Sequence, residues 1–458
     1  MNPRLTREGR GLGLALLLGS AALATPLAAQ RPDPLGGFVA EALRANLGLT
    51  AERLAEQRAA AEVRVARGLF LPSLALESRY SRLEGVPNVG DFVNPAYTAL
   101  NGLIGQNRFP TSLDITLPQR HDSHVELRQP LFNAGIIANY GAARSRYDGQ
   151  RFGLAAAARR LAADVQTAYL TEASARRAVE IYATSLALVQ ENERVAGRLL
   201  AAGRATPEAV FRARADRSEI EQLLAEARQR HAAAARALNQ VLRRPLEAPI
   251  AVIPDSALDL PLAIDVDSSV AHALAHREEL WQLDAGIRTA EAGVRGASAA
   301  FLPSLSLAVD YGFQGRDFAF RSSQDYWVAS LVVSWNLFNG GRDAARRTAA
   351  DLEVDRGRTL RRDLEERIAL EVHTAYDAAA VARAAIATAD DRLEAARRTF
   401  QLVRRRYEEG VASPIELVDA RTALTSAELN RVVTAYQYAM RYVDLERAAA
   451  LRDLGLQP

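Results

Sequence analysis

Cysteine is absent from the 458-residue sequence, and so is lysine, so that all 57 basic residues are arginine. The first absence excludes disulfides, thiol catalysis, cysteine metal sites and a lipidated N-terminal cysteine. The second excludes a phosphate-binding loop of the kind that needs a lysine. Neither sign of charge dominates: 57 basic residues stand against 55 acidic, a net +2, and no basic block interleaves with aromatics. Nothing therefore marks a nucleic-acid surface. Beyond the first thirty residues no stretch approaches the ~20 apolar residues of a membrane-crossing helix. Proline is missing from Leu131 to Thr206 and from Ser304 to Ser413, and Gly357 is the one glycine between Gly341 and Gly410.

The first thirty residues read as a leader. Arg4, Arg7 and Arg10 precede the small apolar run Gly11–Ala24, and "PLAAQ" offers a cleavage point after Ala29. This is the pattern of a cleaved secretory signal over 1–29. The remainder is rich in Ala, Leu, Arg and Glu, strong helix formers, so its charge is expected on the solvated faces of helices.

The mature sequence repeats itself. "FLPSLAL" at 70–76 returns as "FLPSLSL" at 301–307, "QPLFNAG" at 129–135 as "WNLFNGG" at 335–341, and "AAGRATPEAVFRAR" at 201–214 as "EEGVASPIELVDAR" at 408–421. The offset is 231 at the first landmark and 206–207 at the others. The first copy thus carries an insertion confined to one place, expected as a long loop over 83–122. Two copies are too few for a solenoid. The expected organisation is a first repeat over 30–245, a connector over 246–266 marked by Pro249, Pro254 and Pro261, and a second repeat over 267–458.

After each FLPSL the apolar residues alternate. Leu305, Leu307, Val309, Tyr311 and Phe313 share one face, and Leu74, Leu76 and Tyr80 do the same in the first copy. Period two means strand, giving hairpins over 70–132 and 301–338. The strand before "WNLFNGG" alternates from Trp327 to Trp335, aromatic residues bounding an apolar band as in a transmembrane β-strand girdle. Four strands cannot close a barrel, since the smallest membrane barrels have about eight, and open edges are not tolerated in lipid. The strands must be pooled among copies, most economically in a cyclic oligomer. Two ordinary hairpins on a soluble core are the plainer alternative.

Residues 342–408 form one expected helix of about 100 Å. Ala375, Ala379, Ala382, Ile386, Ala389, Leu393, Ala396, Phe400, Val403 and Tyr407 step along it as a heptad seam. The corresponding first-copy seam is interrupted by Glu172 and Glu193. Each long helix ends in a glycine-led tip and returns. Thr206 and Ser413 are expected N-caps, with Pro207 and Pro414 in the first turn. Shorter helices at about 36–68 and 267–300 lead into each FLPSL.

Taken together, the doubled FLPSL, the doubled LFN-x-G and the tip ending in "SPIELVDAR" resemble the TolC family of outer-membrane efflux ducts over essentially the whole mature chain. The resemblance implies a mixed α and β membrane protein: a homotrimer with a shared twelve-stranded transmembrane β-barrel, four strands per chain, in the outer membrane and in contact with its lipid. It also implies a long coiled-coil α-helical barrel in the periplasm. It implies a periplasmic gate at Glu416 and Asp419, with Glu416 departing from the aspartate of the best-known member. Docking to a periplasmic adaptor and inner-membrane pump would fall on the tips Gly203, Arg204, Ala205, Thr206 and Pro207, and Gly410, Val411, Ala412, Ser413 and Pro414.

Catalytic lures are weak. His121, Asp122, Ser123 and His124 contain triad and metal-site residue types without the structural context a site needs. His272 and His276 lack the glutamate of a zinc-protease motif and are expected to face solvent. No catalysis, metal or cofactor is expected. The expected function is a passive duct for small molecules or drugs. The alternatives are the same duct in one-step protein secretion, or a coiled-coil surface protein.

Overall fold

The computed structural model describes residues 35–455 apart from 83, 117–119, 256–259 and 264. The leader read from the sequence lies outside the described residues. The first copy runs α1 (Gly36–Ala45), α2 (Leu47–Gly68), β1 (Ser73–Tyr80), α3 (Gly90–Ile104), β2 (His121–Phe132), α4 (Ala134–Ala201) and α5 (Pro207–Leu242). The second runs α6 (Val266–His276), α7 (Glu278–Ala299), β3 (Ser304–Gly315), β4 (Asp325–Ser334), α8 (Arg342–Glu408) and α9 (Pro414–Ala448). No described helix is long and apolar enough to cross a membrane.

The copies repeat at the level of single breaks. The helices expected at 36–68 and 267–300 are each divided, at Asn46 and Arg277, and the second pieces, α2 and α7, are both 22 residues long. Asn46 turns extended and its side chain accepts from the Leu49 amide 3.1 Å away, so a new helix starts there. The insertion expected as a loop over 83–122 holds α3, and β2 begins at His121 within it. Pro95 inside α3 disguises that helix, because it removes a backbone donor. Asn94 and Asn101 instead tie α3 to the returning segment, bonding the backbone of Leu113, Arg108 and Phe109 at 2.7–3.0 Å.

The four strands form one antiparallel sheet in the order β1-β2-β3-β4, so the two copies meet at β2–β3. The register sets Leu74, Leu127, Val309 and Ala329 in one row, and Leu76, Val125, Tyr311 and Trp327 in the next. Because opposed residues share a face, these rows make a continuous apolar belt. The opposite face carries Glu77, Arg79, Asp122, His124, Glu126, Arg128, Asp310 and Tyr326. Gly312 is required where β2 and β3 approach: a Cβ there would lie 2.5 Å from both the Ser123 carbonyl oxygen and the His124 Cβ.

At 1.5 Å per residue, α4 and α8, of 68 and 67 residues, each run about 100 Å. Near the sheet the helices lie side by side in the order α2, α4, α7, α8; towards the tips the order is α5, α4, α9, α8. All ten seam residues of α8 are buried or half-buried. In α4 the two interrupting acids are paired across to α5. Glu172 accepts from His231 at 2.9 Å, and Glu193 faces Arg214 and Arg217 at 3.5 and 3.3 Å. The largest buried cluster joins α1, α4, α5 and α9 around Tyr169, Leu170 and Leu238.

Candidate functional site

Both tips are closed in the same way. Gly203 and Gly410 adopt φ of +69° and +77°, a conformation that costs glycine little. The next amide reaches back five residues, Arg204 to the Leu199 carbonyl and Val411 to that of Arg406, each at 2.8 Å. The glycine amides bond Leu200 and Tyr407, completing the helix-ending motif twice. Pro207 and Pro414 then open α5 and α9.

The caps differ. The Ser413 hydroxyl accepts from the Glu416 amide at 3.2 Å while the Ser413 amide donates to the Glu416 carboxylate at 3.0 Å. This reciprocal capping box holds Glu416 below the usual carboxylate range, the Ser413 amide being the main cause. Thr206, expected to cap likewise, makes no side-chain cap bond. Position 209, where a box would need an acid or amide, is Ala. Glu416 and Asp419 are both exposed, three residues apart on α9. Ala412 is buried, whereas Val411 is 65% exposed. The sequence reading missed two further apolar residues displayed beside the tips, Phe211 (64% exposed) and Ile415 (51% exposed).

It also missed the charge pair that joins the two helical hairpins. Arg421 of α9 donates to Asp216 of α5, and their side chains are 8% and 7% exposed. Burial holds the Asp216 carboxyl above its ordinary range despite the guanidinium beside it. No local signal announces this pair, because its members lie 205 residues apart.

At the other end of the molecule Trp327 is exposed on the apolar belt. Trp335, expected within the strand, lies one residue beyond β4, where its indole donates to the Phe301 carbonyl at 3.1 Å. The residues of the triad lure are parted by the pleat. His121 and Ser123 bond each other at 2.8 Å on one face, His124 and Asp122 at 3.2 Å on the other. His272 and His276, expected to face solvent, are half-buried and stacked with ring centroids 4.0 Å apart. His272 meets the Ala449 carbonyl at 2.9 Å, which brings this pair against the chain's closing segment. Among the described residues no group of three or more His, Asp or Glu could hold a metal ion.

Residues 270–451 match the model of the outer membrane efflux protein family. The fold is that of solved outer-membrane channels. A membrane protein from Pseudomonas aeruginosa superposes with a TM-score of 0.76 at 20% identity, over 91% of this chain and 92% of that one. The CmeC channel of Campylobacter jejuni gives 0.74 at 17% identity, over 98% and 94%. Over residues 270–451 in sequence, and over nearly the whole chain in fold, the protein is similar to the outer membrane efflux proteins. The match falls within the second repeat, and the first repeat carries the same elements in the same order with α3 added between its strands. The matched family and solved channels of this fold are outer-membrane proteins by name. Among curated relatives, Protein CyaE of Bordetella pertussis is 31% identical over 173 residues, which is 37% of this chain and 35% of that protein. The solvent efflux pump outer membrane protein SrpC of Pseudomonas putida is 26% identical over 160 residues, 34% of each. These matches span about a third of each relative's length.

Proposed function

We propose that three copies of this chain close into one passive duct that carries small molecules from the periplasm across the outer membrane. The observation that carries this reading is the pair of unlike open flanks. Among the described residues β1 and β4 each pair on one side only, leaving ladder groups that lipid cannot satisfy. The same flanks continue into the helices, with α2 and α5 on the β1 side and α8 on the β4 side. Both α2 and α8 expose an apolar stripe there. Leu47 and Val65 stand 18 residues apart, as do Leu352 and Leu370, and 18 residues make five full turns. Joining each flank to its opposite in a neighbour buries both stripes, pairs β4 with β1, and gives twelve strands after three joins. The polar face of the sheet then lines the bore and the apolar belt meets lipid.

The tips are the docking surface for a periplasmic adaptor, with Val411, Ile415 and Phe211 as apolar contacts, and an inner-membrane pump drives export behind it. Glu416 and Asp419 ring the periplasmic aperture, where carboxylates favour cations. A small-solute cargo is supported by the relatives' names, which refer to solvent efflux, pyoverdine export and cation efflux. The test is a photocrosslink from Val411 in intact cells, with mass spectrometry of the product. Capture of an adaptor that partners a proton-driven small-molecule pump supports the reading. Capture of one serving an ATP-driven protein exporter replaces the cargo with protein. A properly inserted trimer that captures no adaptor removes the docking assignment. For the gate, Glu416→Ala with Asp419→Ala should change single-channel conductance or its block by divalent cations; unchanged traces remove that role.

A further inference from the structure

Helix α6 carries two histidines one turn apart, His272 and His276, whose rings stack with centroids 4.0 Å apart and planes 16° from parallel. Nδ1 of His272 meets the Ala449 carbonyl at 2.9 Å, and Nδ1 of His276 meets the His272 carbonyl at 3.0 Å. A carbonyl only accepts, so each Nδ1 carries the ring proton and each Nε2 keeps a bare lone pair. Among the described residues neither Nε2 has a hydrogen-bond partner. Both side chains are half-buried and line an open recess of about 100 Å³, walled by α4, α6, α7 and residues 450–454.

Two adjacent imidazoles in this state are prepared for a metal. A ligating histidine ordinarily donates its other ring N–H to a carbonyl or carboxylate, which fixes tautomer and orientation. Both rings have that anchor. Their i,i+4 spacing is that of the zinc-protease helix, in which two histidines share one ion. The glutamate missing from that motif, where position 273 is Ala, is its general base and not a ligand, so its absence removes hydrolysis and leaves binding. An ion about 2.0–2.1 Å from each nitrogen sets the two Nε2 atoms about 3 Å apart, within reach of a slight tilt of the stacked rings. The charges lining the recess do not oppose a cation. Arg159 is held by Glu278 and Arg452 by Glu446, while Asp453 adds a carboxylate whose Oδ1 accepts from the Gly455 amide. Among the described residues no acid joins the pair as a third ligand, so water completes the coordination. Imidazole nitrogen suits copper, nickel and zinc rather than magnesium or calcium, and copper(II) heads the order of divalent affinities.

We infer that His272 and His276 form a two-histidine site for a divalent late transition-metal ion, with copper(II) bound most tightly. The His272 ring also holds Ala449, the C-cap of α9. A bound ion therefore staples the start of the second repeat to the closing segment of the chain. The site is complete within one chain, so its occupancy is read without reference to any duct activity.

The test is titration of copper(II) into the purified, amphipol-stabilised full chain without a histidine tag, read by electron paramagnetic resonance. His272→Asn and His276→Asn each keep an N–H donor where Nδ1 stands and delete the ligand at Nε2. His373→Asn, at an exposed position of α8, is the control. The expected result is stoichiometric copper(II) coupled to two imidazole nitrogens, with nickel(II) and zinc(II) weaker. Each variant of the pair should bind at least tenfold more weakly, and the control should match the wild type. Absence of stoichiometric binding, coupling to a single imidazole nitrogen, or affinity that survives either substitution overturns the site. The nitrogen count is read on the wild type, so it decides even where a variant fails to fold. Zinc(II) or nickel(II) bound more tightly than copper(II) overturns the assigned ion.

Discussion

Arg159→Ala should loosen the junction where the two repeats and the closing segment meet. Arg159 of α4 grips Glu278, the first residue of α7, with Nη2 to Oε1 at 2.6 Å and Nε to Oε2 at 2.9 Å. Its Nη1 donates to the Arg452 carbonyl at 2.8 Å. The two side chains are 12% and 6% exposed, so the alanine leaves a carboxylate shut away from water. Removing one partner of a buried pair costs about 3–5 kcal/mol. The start of α7 offsets part of this, because peptide dipoles favour a carboxylate there by roughly 0.3–1 kcal/mol. The expected loss is therefore about 2–5 kcal/mol per chain. At about 2–4 °C per kcal/mol, or less for a chain of this size, calorimetry of the purified protein should show melting lowered by several degrees. Arg159→Met combined with Glu278→Leu strands no charge and should melt well above the single variant. A single variant melting within a degree of wild type, or a double variant melting as low as the single, refutes the reasoning.

Gly312→Ala should impair recovery of the folded sheet, since the added methyl meets backbone across β2–β3 and overpacking costs about 1–3 kcal/mol. Gly286→Ala in α7 meets nothing within 4 Å and should gain up to about 1 kcal/mol of helix propensity, so the two should move melting in opposite directions. Ser413→Ala should cost about 0.5–2 kcal/mol through the lost cap. Thr206→Ala should cost less, because its hydroxyl makes no cap bond, and equal losses would contradict the observed asymmetry. For Glu416 the folded pKa is depressed, so its capping contribution is present above the ordinary value and lost only as pH falls through the lower one. Reversal potentials across a salt gradient should accordingly keep their cation preference as pH falls through about 4.3 and lose it below. Loss at or above that pH, or an unchanged profile in Glu416→Gln with Asp419→Asn, sinks the link between cap and gate.

What was legible in the sequence is what chain neighbours decide. The span 342–408 follows from a sustained heptad seam between Gly341 and Gly410, and the helix runs Arg342–Glu408. The strands follow from alternation that their own side chains carry. The unequal caps were not anticipated, Thr206 and Ser413 being expected to cap alike, although Glu416 stands three residues after Ser413 and Ala209 three after Thr206. Other features depend on meetings between distant parts. The Asp216–Arg421 pair needs both hairpins in place before either charge has a reason to be buried. Glu172 and Glu193 look like faults in a seam until His231, Arg214 and Arg217 arrive from α5. Helix α3 escaped because Pro95 and two flanking glycines carry the marks of a loop, while asparagine side chains do the ordering.

The unlike flanks also bear on inheritance. A chain whose β1 edge is spoiled still offers a sound β4 edge, so it joins an assembly at one side and then stops it. In a cell making both forms in equal amount, only rings drawn entirely from the sound pool close. The defect would therefore be dominant, silencing most assemblies while half of the chains are normal. Loss of the whole chain would instead be recessive.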